Sequence, residues 1–164
     1  MNNRKKLLWF ALIMLAAFAV HGQVGEFFPV TIVTQEDADN VDLRLFADNP
    51  DFTPGENERI KRAVLDIALY FFGFDIGYDI WTLVDEEAAT SSLFSYLERP
   101  LQDSAFWITT NFMTSARREG GRLYLWAQIR SWPRDNPNLD AGSWMELIFA
   151  NVNGEYKLIH LLFG

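Results

Sequence analysis

Several residue types on which functional sites depend are scarce in this chain. It contains no cysteine, so disulfide bonds, thiolate metal sites and a lipid-modified N-terminal cysteine are excluded. It contains two histidines, and His21 lies in a segment that we expect to be removed. The other, His160, is predicted to face an apolar residue, where a histidine is more typically a core or rim residue than a catalytic base. Nucleophile-elbow, phosphate-loop and dinucleotide-binding motifs are also absent.

Positive charge is scarce as well. The chain has 14 Lys and Arg against 22 Asp and Glu, a net charge of −8. Because contacts between cations and phosphates dominate the affinity of proteins for nucleic acid, this composition argues against a nucleic-acid partner. Residues 23–103 hold 17 carboxylates and 5 cations, whereas residues 104–164 hold 5 and 6. We therefore expect one acidic side and one near-neutral, aromatic-rich side.

The N-terminal segment predicts export. A basic triplet at positions 4–6 precedes an apolar run at positions 7–20, which is shorter than the about 20 residues that span a bilayer. We expect residues 1–22 to be a signal peptide cleaved after Gly22, with cleavage after Ala19 as the alternative. The mature protein is then periplasmic or secreted, and it contacts a membrane only if the signal stays attached.

The mature chain, residues 23–164, has the length of a single domain. Its clearest helix begins at Thr53, which forms a capping box with Glu56, and ends at Gly73. Apolar residues surround the C-terminal half of this helix, so we expect that half to be buried on all sides.

Other elements are predicted from shorter patterns. Residues 27–34 and 41–46 alternate as two strands joined by an acidic loop, and residues 85–99 predict a second helix that stops before Pro100. The remaining strands are predicted at residues 104–115, 121–132, 143–152 and 155–163.

The last two strands form a hairpin. Asn153 and Gly154 both tolerate positive φ, as a two-residue type I′ turn requires. Cross-strand partners keep a constant index sum, which predicts the pairs Val152 with Glu155, Asn151 with Tyr156, Phe149 with Leu158, Leu147 with His160, and Met145 with Leu162. Both faces of this hairpin are largely apolar, so we expect the sheet to be covered on both sides.

The end of the chain, W-x-E-L-I-F-A-N-V-N-G-E-Y-K-L-I, and the order of elements before it resemble the NTF2-like (cone-shaped α+β) superfamily over about residues 54–164. The resemblance implies an α+β fold with a long N-terminal helix and a second helix packed on a curved antiparallel sheet. A cystatin-like sheet around one helix is the alternative. The strand pair at 27–46 departs from the family pattern. Enzymatic members usually hold an Asp or His base in the cone, and no matching motif carries one over here.

The acidic loop is one candidate metal site. Glu36, Asp37, Asp39 and Asp42 are close in sequence, but the Gly at the sixth position and the Glu at the twelfth position of a calcium loop are missing. We interpret the loop as solvated and expect neither a metal nor a cofactor.

The strand RLYLWAQIRSW carries the main candidate site. Its odd-numbered residues form an aliphatic face, and its even-numbered residues combine aromatic rings with hydrogen-bonding groups, a composition typical of a ligand pocket or a protein interface. The alternative is an outer face on which Arg stems lie over Trp rings. The candidate ligand-binding residues are Tyr124, Trp126, Gln128, Arg130, Leu147 and Phe149.

The neighbouring strand leaves two registers open. In one, the even-numbered residues share a surface with Leu147 and Phe149, and in the other, shifted by one residue, they share it with Glu146 and Ile148. In the NTF2-like interpretation this surface is concave and faces the helix, so that a ligand contacts Trp126.

These observations predict an exported, non-catalytic domain that binds a small molecule or a protein partner and that could form a homodimer. The alternative is a small hydrolase or isomerase that uses carboxylates in the cone, such as Asp66 or Asp79. A pocket that holds a carboxylate with a raised pKa would favour the enzyme.

Expression in a bacterial host should yield a mature protein that begins near Gln23, because the apolar run is short and is followed by small residues. Intact mass spectrometry of the periplasmic fraction measures this start. Recovery of the uncleaved chain in the membrane fraction would contradict the prediction.

Overall fold

A curved six-stranded antiparallel sheet and three helices make up the part of the chain that the computed structural model describes, residues 29–90, 94–101, 103–139 and 141–164. The fold is therefore α+β, as predicted. The expected signal peptide and the first two residues of the strand predicted at 27–34 lie outside the described residues.

The elements differ widely in length. The helices are α1 (Gln35–Asp39), α2 (Pro54–Phe71) and α3 (Ser95–Glu98). The strands are β1 (Val30–Ile32), β2 (Ser104–Ile108), β3 (Arg117–Glu119), β4 (Arg122–Pro133), β5 (Ala141–Val152) and β6 (Glu155–Phe163). The sheet order is β1-β2-β4-β5-β6, and β3 pairs with the first residues of β4.

Helix α2 begins and ends as predicted. The Thr53 hydroxyl accepts a hydrogen bond from the Glu56 N–H at 3.3 Å, and the Glu56 carboxylate accepts one from the Thr53 N–H at 3.0 Å. At the other end Gly73 has φ +81°, and the Phe74 N–H donates to the Leu69 carbonyl at 3.0 Å. This Schellman arrangement satisfies carbonyls that the helix leaves open, and it requires a left-handed residue at position 73.

One face of the sheet packs against α2. The aliphatic residues of β4 are buried there with the odd-numbered residues of β5, such as Leu147. Two aromatic contacts join helix and sheet directly: Phe71 stacks on Phe163 of β6 with ring centroids 3.8 Å apart, and Phe72 stacks on Phe106 of β2 at 4.6 Å. The C-terminal half of α2 is buried on nearly all sides as a result, in agreement with the sequence pattern.

The closing hairpin confirms the predicted turn and three of the five predicted cross-strand pairs. Asn153 and Gly154 have φ of 54° and 90°, and the pairs from Val152 with Glu155 to Phe149 with Leu158 are present.

Beyond that point the predicted pairs of Leu147 with His160 and Met145 with Leu162 are wrong. A bulge leaves Ile159 without a partner, so Leu147 faces Leu161 and Met145 faces Phe163. The extra residue shifts the alternation of β6. As a result Leu161 enters the core, and His160, the predicted partner of Leu147, lies on the other face of the sheet.

The expectation that both faces of the sheet are covered is also wrong. Met145, Leu147 and Phe149 are fully buried, whereas Ile148 and Ala150, which lie on the opposite face, are only half-buried. We call the face that packs on α2 the inner face and the opposite one the outer face.

The segment before α2 matches the predicted strand pair only in part: β1 lies within the strand predicted at 27–34, but the strand predicted at 41–46 is wrong. Residues Leu43–Leu45 form a 3₁₀ turn, because the Asp42 carboxylate accepts hydrogen bonds from the Arg44 N–H and guanidinium, both at 2.9 Å. Such local bonds compete with strand pairing. The predicted acidic loop is helix α1, whose first turn is fixed by a capping box between Thr34 and Asp37.

The second helix and the first long strand are shorter than predicted. The described part of 85–99 contains a 3₁₀ turn at Ala88–Thr90 and the four-residue α3, which ends before Pro100 as expected. The strand predicted at 104–115 ends at Ile108. Residues Phe112–Ser115 form a 3₁₀ turn instead, held by hydroxyl bonds to backbone carbonyls within the turn.

The outer edge of β6 is partly covered. The Asp85 N–H donates to the Leu158 carbonyl at 2.9 Å, and Val84 forms a parallel bridge with the same residue. Within the described segments, no helix combines the length and apolar character needed to cross a membrane.

Replacing Gly154 by Val should lower the free energy of unfolding by about 1 kcal/mol or more, because a β-branched residue resists positive φ. Gly55→Ala is the matched control: a Cβ there meets no atom within 4 Å, so its effect should be neutral or mildly stabilising. Urea unfolding measures both changes. A Gly154→Val variant as stable as the parent would count against the turn.

Candidate functional site

The six candidate ligand-binding residues do not share one surface. The observed register pairs Trp126 with Glu146 and Leu125 with Leu147, which is the one-residue alternative. Leu147 and Phe149 are therefore core residues of the inner face, exposed by 0% and 1%. Tyr124, Trp126, Gln128 and Arg130 lie together on the outer face.

The expectation that this aromatic surface faces the helix is wrong. Leu123, Leu125, Ala127 and Ile129 point towards α2 and are fully buried, because burial of the purely aliphatic face removes more apolar area from water. The even-numbered residues consequently face away from the helix, and Trp126 is 47% exposed.

The outer face nevertheless has a depression, which we call the outer groove. Its volume is about 360 Å³, and it is lined by Trp107, Trp126, Gln128, Arg130, Gly142 and Trp144. Arg130 pairs with Trp107 on one side and with Gly142 on the other, and its guanidinium lies 5.9 Å from the centre of the Trp107 ring. The strands thus bring three of the four predicted outer-face residues into one groove. The fourth, Tyr124, lies beyond it under the guanidinium of Arg117.

A second and larger cavity, which we call the helix cavity, lies between α2 and the β5–β6 hairpin. Its volume is about 430 Å³. The lining residues are Leu43, Glu58, Arg59, Ile60, Arg62, Ala63, Tyr78, Leu83, Phe149, Glu155, Tyr156 and Lys157. Its floor contains the fully buried Ile60 and Phe149, and charged and phenolic side chains form its rim.

Hydrogen bonds fix much of this rim. The Lys157 ammonium donates to the Thr82 carbonyl at 2.8 Å and lies 3.2 Å from the Glu155 carboxylate. The Tyr156 hydroxyl accepts from the Arg118 guanidinium at 2.9 Å and lies 3.3 Å from the Glu56 carboxylate. These bonds hold β6 to the start of α2 and to the segment after it.

A buried carboxylate lies behind the rim. The Tyr78 hydroxyl donates to Asp66 at 2.8 Å, and the Arg62 guanidinium lies 3.7 Å from the other oxygen. Burial raises the pKa of Asp66, against the opposing effects of Tyr78 and Arg62. Burial and the bond to Asp66 also raise the pKa of Tyr78, so its phenol remains a hydrogen-bond donor at neutral pH.

The other acidic candidates have local roles. Asp79 caps the 3₁₀ turn Ile80–Leu83 by accepting from the Trp81 N–H at 3.1 Å. Asp37 belongs to the α1 capping box, and Asp42 binds Arg44. Among the described residues, no cluster of three or more His, Asp or Glu side chains could hold a metal ion.

The helix cavity was not anticipated from the sequence. In the sequence, the spacing of Glu58 and Arg62 indicates only a favourable i,i+4 pair on the outside of a helix. The predicted hairpin register places Tyr156 and Lys157 near the tip of the hairpin. No local pattern indicates that this tip meets α2, about a hundred residues earlier in the chain.

No family model, curated protein or solved structure matches the chain.

Asp66→Asn should gain stability relative to the parent as pH rises. A folded-state pKa above the unfolded value means that ionisation of Asp66 weakens the fold, starting near the unfolded pKa of about 3.9. The difference in free energy of unfolding between variant and parent should therefore grow in favour of the variant from that pH upward. Urea unfolding across this pH range measures it.

Asp37→Asn is a control of opposite sign. The bonds of Asp37 with Thr34 lower its pKa, so this variant should lose stability relative to the parent as pH rises. A flat difference for Asp66→Asn beside a sloping one for Asp37→Asn would contradict the assignment.

Proposed function

We propose that this chain is an exported, non-catalytic domain that binds a small molecule in the helix cavity. The observation that carries the proposal is the shape and lining of the cavity. Its volume of about 430 Å³ falls within the range of about 300–1,000 Å³ that is common for ligand pockets. An apolar floor beneath a small number of fixed polar groups is the usual composition of such sites.

The lining favours a ligand with an apolar body and an anionic group. Three cations, Arg59, Arg62 and Lys157, stand on the rim beside two carboxylates, Glu58 and Glu155. The rim is thus locally more positive than a chain whose net charge is −8. An anionic head at the rim would gain charge-assisted hydrogen bonds, and the floor would receive the apolar part.

A binding role fits the arrangement of Tyr78 and Asp66. The phenol donates its proton to the carboxylate, and the carboxylate is buried behind it. Each group is satisfied by the other, so neither presents an acid or a base to the cavity.

We also propose that the fold is NTF2-like and that the protein is periplasmic or secreted. The long helix against a curved antiparallel sheet, the closing hairpin and a cavity between them support the first part. The short α3 and the added β1 and α1 depart from the family pattern, and a cystatin-like sheet around one helix is the alternative. The basic and apolar N-terminal sequence supports export.

One observation favours an enzyme as the second candidate. Asp66 combines burial with a raised pKa and borders a neighbouring cavity of about 290 Å³, which is a setting typical of catalytic carboxylates. Saturable hydrolysis of p-nitrophenyl acetate that disappears in Asp66→Asn would support this candidate over a binding domain.

Binding to the helix cavity can be tested with the fluorescent anion 1-anilinonaphthalene-8-sulfonate. We expect the folded protein to bind this probe and octanoate to displace it more effectively than octanol or octylamine, which have the same apolar chain. Ala63→Phe should reduce probe binding by about tenfold or more, because the added ring occupies space that the ligand needs.

Arg62→Ala should weaken binding of octanoate more than binding of octanol, since the anion loses a charged partner. Arg99→Ala is the matched control, because it removes the same charge from an exposed position outside the cavity. Equal displacement by all three competitors would refute the anionic preference. Unchanged probe binding in Ala63→Phe would refute the site.

A further inference from the structure

The outer groove lies on the opposite side of the sheet from the helix cavity, and the pairing of three strands builds it. Trp107, Arg130 and Gly142 form one row across β2, β4 and β5, and Gln128 with Trp144 forms the next. Trp126 closes the groove one step further along β4. From Trp126 to Arg130 the strand advances about 13 Å, so the groove is elongated.

A missing side chain creates the depression. Gly142 is the second residue of β5 and pairs with Arg130, and because glycine has no side chain, the sheet surface beside Arg130 is left open. A Cβ at this position would lie 3.8 Å from the Arg130 side chain, which is an ordinary contact, and the backbone is not left-handed there. Neither packing nor backbone conformation therefore requires glycine, and the empty space above it belongs to the groove.

The aromatic walls are held in place by their neighbours. Gly164 forms two backbone hydrogen bonds with Trp144, at 2.9 and 3.1 Å, and a Cβ on Gly164 would lie 2.4 Å from the Trp144 ring. The Trp144 indole thus rests directly on the backbone of Gly164, the residue that follows β6. Trp126, in contrast, is the most accessible of the three indoles and can contact a ligand directly.

We propose that the outer groove binds an oligosaccharide. The faces of sugar rings carry C–H groups that pack on the electron-rich faces of indole rings. Sugar hydroxyls both donate and accept hydrogen bonds, which matches the Gln128 amide, while the Arg130 guanidinium supplies further donors. An elongated groove with several aromatic walls suits a chain of sugar units rather than a single ring.

The surroundings of the groove disfavour other ligands. A cation that seeks an aromatic cage would be repelled by Arg130. An aliphatic ligand would remove water from the exposed Gln128 and Arg130 without replacing their hydrogen bonds. A protein partner needs about 800 Å² on each side, but polar pairs border the groove, including Glu146 with His160 at 3.8 Å and Arg117 with Tyr124.

Tryptophan fluorescence titration of the intact protein with cellohexaose, maltohexaose and chitotetraose tests the proposal. We expect a saturable change with at least one of these probes. Gly142→Val should abolish it while leaving the unfolding midpoint equal to or above that of the parent, because valine fills the groove and favours a strand. Trp126→Ala should weaken binding by about tenfold or more.

Trp132→Ala is the matched control. It removes an indole from the same strand and face, but Trp132 does not line the groove, so sugar binding should persist. Absence of binding to all three probes at millimolar concentration would overturn the proposal, as would equal losses in Trp126→Ala and Trp132→Ala. A dimer in sedimentation velocity that Trp126→Ala dissociates would also overturn it, because the face would then be a protein interface.

Discussion

Two adjacent phenylalanines at the end of α2 impose the main constraint on this molecule. Phe71 stacks on β6 and Phe72 stacks on β2, although β4 and β5 lie between those strands. Three strand spacings in a flat sheet amount to about 14 Å, and the two contacts fasten both ends of this span to a single turn of the helix. The sheet is curved around the helix. This bend gives the sheet an inner face that is dry and an outer face that remains partly accessible.

The positions of the two sites follow from these aromatic contacts. The contacts hold the C-terminal half of α2, whose side chains are almost all buried, whereas five residues between positions 58 and 63, nearer the N-terminus, line the helix cavity. The bonds among Glu56, Arg118 and Tyr156 close the far end of that opening. The outer groove lies across β2, β4 and β5 on the opposite face of the sheet, so both sites depend on one core although their lining residues do not overlap.

Local signals decided which parts of the fold could be predicted. The capping box at Thr53, the glycine after α2 and the Asn-Gly turn act within a few residues, and each was confirmed. Short polar bonds, such as Asp42 with Arg44, and the bulge in β6 overrode the alternation of apolar residues and produced the errors. The candidate site was predictable to the same extent. The alternation of residues along β4 correctly placed Trp126 and Arg130 on one face. The pairing of β4 with β5, which puts Leu147 in the core, is a tertiary property that no local pattern specifies.

The contact of Val84 and Asp85 with Leu158 bears on whether the domain stays separate from its own copies. An unpaired strand edge is a template for intermolecular β-pairing and fibrillar growth. At one end of the sheet, β1 has only three residues and offers little to pair with. At the other end of the sheet, β6 has nine residues. Val84 and Asp85 pair with the middle of its outer edge. Because the Leu158 carbonyl is already bonded, the outer edge of β6 offers two short unpaired stretches instead of one long one.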